Sequence, residues 1–189
     1  MDFSFIEVKT LLLIVHLVGL ALGVGGALIS DAIFFHAIHD WRISKSEMGF
    51  LNLGSTAVSI GLGLLILSGI AMFSLDMERY LASTKFIAKM AIVAILAVNA
   101  ILLHQLHIPH MRALSKKGTS TRTGFAKSRG LILMSGVVSI VSWFSALVLG
   151  AFRSIPWSVE MIFSVYLGVL LIGFVVAFLL RDRLMPVRR

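Results

Sequence analysis

His16, Asp31, His36, Lys89, His104 and His107 are the residues of this chain whose types and spacing could support chemistry. Imidazole and carboxylate groups ligate transition metals, and imidazole is a common axial ligand of haem iron. His36 and His39 stand three apart, as do His104 and His107, and residues three apart share one face of a helix. One histidine from each pair could hold the iron of a haem b. Alternatively His36, His104 and His107 could together ligate a divalent transition metal. Asp31 could accept a hydrogen bond from His36 or His104 and so orient a ligating ring, as carboxylates beside metal sites do. His16 and Lys89 suggest a second, separate site, either a proton-transfer pair or a histidine holding a five-coordinate haem. A lysine enclosed in apolar surroundings is also a candidate general base or ligand. Cysteine is absent, which excludes disulfides, thiolate metal sites and cysteine nucleophiles. Each of these residues also has a plainer explanation. Histidines at a membrane surface can bond to head groups, water or loop backbone, and His39 and His110 fit that description best. Lys89 can extend along apolar surface and place its ammonium in the outer interface.

These residues must be positioned by hydrophobic helices. The chain has 189 residues, 58% of them hydrophobic, with a mean hydropathy of +0.98. Soluble domains are usually less apolar. Five segments supply the roughly 20 apolar residues that a spanning helix needs. They are about 10–35, 51–75, 86–108, 130–152 and 159–180, within one domain covering 1–189. Short alternating segments of the kind that build membrane barrels are absent from the sequence. The expected fold is therefore an all-α integral membrane bundle of five transmembrane helices. Residues 1–9 carry Asp2 and Glu7 against a single Lys9, a poor match to the positive start of a signal peptide. The first apolar run is accordingly expected to stay as the first helix.

Charge sets the expected orientation. With the N-terminus outside, the inner segments carry Arg42, Lys45, Arg112, Lys116, Lys117, Arg122, Lys127, Arg129, Arg181, Arg183, Arg188 and Arg189. The outer segments carry only Lys9, Arg79, Lys85 and Arg153. That asymmetry places the C-terminus in the cytoplasm, most naturally in a bacterial inner (plasma) membrane. A reporter fused after Arg189 should therefore report cytoplasmic, and a tag before Asp2 should be reachable from outside. An externally accessible C-terminus would reverse the orientation. The net charge of +8 sits in short segments beside apolar runs, which points to anionic lipids at the cytoplasmic face and away from nucleic acid.

Helical rise then gives depth. His16 and Lys89 fall at similar depth in the outer half. Asp31, Asn99 and His104 fall in the inner half, with His36, His39, His107 and His110 closing the same two helices at the cytoplasmic face. Small residues form stripes at Gly19, Gly23, Ala27 and Ser30, at Gly54, Gly61 and Ser68, and at Ser135, Ser139 and Ser142. Such stripes let helix backbones approach closely, and they also suit a flat cofactor. They leave open packing against a second copy or another membrane protein. No phosphate-binding glycine pattern and no nucleophile–base pattern is present.

The layout His16, Gly25-Gly26 and His36 on the first helix, followed by Lys89 and His104 on a later one, resembles a superfamily of small membrane proteins. It includes the membrane-bound protoporphyrinogen oxidase and copper-resistance D families. The resemblance covers roughly residues 10–110. It implies a haem-binding or porphyrin-oxidising site using His16 and Lys89. The sequence thus gives three functional expectations. The first is a histidine-based haem- or metal-binding protein with a redox role. The others are a transition-metal transporter or tolerance protein, and a non-enzymatic membrane partner subunit.

Overall fold

A computed structural model describes residues 3–39, 44–103, 105, 122–152 and 154–184. Six helices account for almost all of them: α1 (Phe3–His39), α2 (Lys45–Leu75), α3 (Met77–Leu81), α4 (Thr84–Leu102), α5 (Arg122–Ala151) and α6 (Val159–Leu184). All except α3 are long and apolar enough to cross a membrane. The expected five-helix bundle is therefore present.

Several ends differ from the hydropathy reading, because backbone hydrogen bonding continues past the apolar window. α2 starts at Lys45 rather than near residue 51, and its start is fixed by a capping box. Ser44 Oγ accepts from the Glu47 N–H at 3.1 Å, and the Glu47 carboxylate accepts from the Ser44 N–H at 2.7 Å. This reciprocal pairing satisfies two backbone donors that a helix start would leave open. α1 begins at Phe3 and α5 at Arg122, both earlier than expected. The short α3 was not anticipated. It turns the chain between α2 and α4, where Ser83 caps α4 by accepting from the Phe86 N–H.

The helix ends on the side of the bundle where α1 begins are tied together by polar contacts. Lys9 on α1 pairs with Asp76, the residue joining α2 to α3, at 3.2 Å, and Arg79 lies 3.6 Å from the same carboxylate. Thr84 donates to the Trp157 carbonyl and Lys85 to the Phe152 carbonyl, so the start of α4 is fastened to the α5–α6 connection. Phe73 and Phe86 stack with ring centroids 5.5 Å apart, and Tyr80 lies against Phe86.

The closest helix pair is α1 and α2, and glycine makes it possible. A Cβ on Gly61 would lie 2.6 Å from both the Gly19 carbonyl oxygen and the Gly23 nitrogen. One on Gly26 would lie 3.1 Å from the Gly54 carbonyl oxygen. In lipid, where apolar side chains gain little by leaving the solvent, such backbone contact is a main source of helix association. α4, α5 and α6 form a second group around Ala88, Ile92, Leu149, Ile162, Tyr166 and Leu170. The two groups join through Ala27, Leu62, Leu65, Leu96 and Trp143. The Trp143 benzo edge fits against Gly23, where a Cβ would collide with the ring. The outward surfaces of the long helices carry exposed Leu, Ile, Val and Phe, as lipid-facing surfaces do.

Candidate functional site

Toward the end of the bundle where α1 begins, His16 and Ser68 form a polar pair. His16 is partly buried on α1, and its Nδ1 lies 2.9 Å from Ser68 Oγ on α2. Ser68 Oγ itself donates to the Leu64 carbonyl. A serine hydroxyl carries one proton. Ser68 therefore accepts from His16 Nδ1–H, and Nε2 takes no part in that bond. The second small-residue stripe thus supplies a hydrogen-bond partner as well as a packing surface. Lys89 is partly buried on α4. Among the described residues Lys89 makes no hydrogen bond or ion pair.

A cavity of about 400 Å³ is walled by all five spanning helices. Along the bundle it runs from the level of Ala27, Ser59, Leu96, Trp143 and Gly173 to that of Phe35, Leu51, Leu103, Ile132 and Leu180. The walls are mostly apolar. Ligand sites commonly fall in this range of volume and character, with a few polar groups fixing orientation. Asn99 and Ser135 line or flank the cavity as a closed pair. Asn99 Nδ2 donates to the Ser135 carbonyl at 3.0 Å, and Ser135 Oγ donates to Asn99 Oδ1 at 2.7 Å. Ser142 and Tyr166 satisfy each other at 2.9 Å.

Three buried polar atoms contrast with these pairs. Ser30 Oγ, Asp31 Oδ2 and Trp143 Nε1 have no hydrogen-bond partner. All three residues line the cavity. Buried polar atoms are nearly always paired in native proteins, and in a membrane an unpaired group is costlier still. Ser30 Oγ packs toward Gly54 in the α1–α2 seam, and the partly exposed Asp31 is the ionisable residue on the cavity wall, which makes that cavity the candidate site.

Of the residues expected to act from sequence, Asp31 stands on the cavity wall. His16 pairs with Ser68, and Lys89 stands on α4. His36 is exposed on the last turns of α1 and is not part of the cavity wall. His104, His107 and His110 lie outside the described residues, so the proposed inner ligand set is placed only at His36 and Asp31. Among the described residues no three His, Asp or Glu side chains are grouped to hold a metal ion. None of the cavity-lining residues described is a histidine, so they do not by themselves provide an axial ligand for a haem within it. Sequence reasoning missed Trp143. A signal was available, because tryptophan in membrane helices favours the interfaces and this one sits in the middle of an apolar span.

No protein-family model matches the chain, and no curated protein or solved structure matches it.

Proposed function

We propose that this integral membrane protein binds a small, mostly apolar molecule in the cavity, with Asp31 as the group that orients it. The supporting observation is a largely apolar cavity walled by all five spanning helices, with the partly exposed Asp31 on its wall. A bound molecule with one polar group would meet the Asp31 carboxyl while its remaining surface meets the walls.

A second reading is histidine-based binding of haem b or a divalent transition metal, with a redox or transport role. It draws support from the hydrogen-bond chain at His16, which leaves Nε2 available as a ligand or base. Metal-ligating histidines are typically held in this way through their other nitrogen. In that reading Lys89 stands beside His16, while His36, His104 and His107 form the inner ligand set with Asp31 orienting one ring.

Purified protein separates the two. An absorbance spectrum, elemental analysis and mass spectrometry of an organic extract should together show a retained organic molecule without a Soret band. A Soret band or stoichiometric metal, lost in His36→Ala or His104→Ala, would favour the second reading instead.

A further inference from the structure

The charge of Asp31 sets the kind of molecule the cavity takes, an inference that rests on the binding role proposed above. Asp31 is partly exposed on the cavity wall. Its Oδ2 is enclosed without a hydrogen-bond partner, which leaves Oδ1 as the accessible carboxyl oxygen. Among the described residues Asp31 makes no ion pair, and no Lys, Arg or His lines the cavity. Other polar groups of the wall are engaged within the protein. Ser59 donates to the Ser55 carbonyl, and Asn99 is closed against Ser135. Ionisable side chains within a membrane are costly and are almost always paired. A carboxylate on an apolar wall without a counter-charge therefore favours an occupant that brings one.

We infer that the cavity takes a lipophilic amine in its ammonium form. The ammonium N–H groups donate to the Asp31 carboxylate, and the hydrocarbon body lies against Phe34, Leu51, Leu96, Ile132 and Ile140. The two charges cancel, which offsets the cost of removing each from water. Hydrogen bonds that involve ionised groups are also about twice as strong as neutral ones. An alcohol would donate one hydrogen bond and leave the negative charge uncompensated. A fatty carboxylate would place a second negative charge beside the first.

Three probes of matched length test this: octan-1-amine, octan-1-ol and octanoate. The full chain is placed in nanodiscs of phosphatidylcholine, whose head groups carry no net charge. Binding is read by equilibrium dialysis, with empty nanodiscs subtracting partition into lipid. The amine should bind about tenfold tighter than the alcohol, and octanoate weakest of the three. Asp31→Asn keeps the shape of the side chain and removes its charge. It should lower the amine to the affinity of the alcohol and leave the alcohol unchanged, with circular dichroism confirming the fold. If Asp31→Asn does not fold, the probe series in the parent protein still decides the question. Equal binding of amine and alcohol, or an amine preference that survives Asp31→Asn, would overturn the cation selectivity while leaving the cavity as a binding site. No binding of any probe above empty nanodiscs would count against the binding site itself, and the selectivity with it.

Discussion

Gly61→Ala should destabilise the folded protein strongly, while Gly63→Ala on the same helix should leave it unchanged. The new methyl at Gly61 would lie 2.6 Å from the Gly19 carbonyl oxygen and the Gly23 nitrogen. Both are backbone atoms, so relief requires α1 and α2 to separate. That separation would also loosen the Gly23 contact with Trp143 and the His16–Ser68 hydrogen bond. Overpacking of this kind typically costs about 1–3 kcal/mol. For a chain of this size that corresponds to a fall in Tm of roughly 2–4 °C per kcal/mol. A Cβ at Gly63 meets nothing within 4 Å, so the same change of residue type there is the control. Thermal unfolding in detergent, followed by size-exclusion chromatography or circular dichroism, reads the difference. Equal stability of the two variants would show that α1 and α2 are not held by this backbone contact.

Asp31→Leu should act in the opposite direction on stability while removing binding. Asp31 Oδ2 is buried without a partner, and leaving a buried polar atom unsatisfied costs about 1–3 kcal/mol. Leucine removes that cost and meets apolar walls formed by residues such as Phe34 and Leu96. The ligand-free variant should therefore show a Tm above that of the ligand-free parent. Ligand retained through purification should fall at least tenfold, because its donor loses the carboxylate. A stabilised but inactive variant is the signature of a residue kept for function. A lowered Tm would instead mean that Asp31 holds the fold through a structural contact, and its role as a ligand anchor would fail.

Much of the architecture was legible in the sequence because lipid imposes a simple requirement. Each span needs an unbroken apolar run, and five such runs are visible. Helix ends were less legible. Ser44 and Glu47 carry a recognisable capping pattern, but apolar windows ignore it. The five-residue α3 has no apolar signature at all.

The glycine stripes on α1 and α2 announced close packing without naming partners. Their pairing depends on how each helix is rotated about its axis, which linear spacing does not set. The same limit explains the site. Depth arithmetic placed His16 level with Lys89. The atom actually bonded to His16, however, is the Ser68 hydroxyl on α2. Asp31 was expected to meet a histidine. His104 lies outside the described residues, and among those described Asp31 stands on the wall of a cavity to which every spanning helix contributes. That convergence of distant segments is a tertiary property, and no single stretch of sequence contains it.

The most direct measurement is an experimental density map of the protein purified from its own membrane and embedded in nanodiscs. Density not belonging to the chain is expected in the cavity walled by the five spanning helices, within hydrogen-bond distance of the Asp31 carboxyl. A map in which the cavity is closed by its own side chains, with Asp31 paired to a protein group, would contradict the binding role.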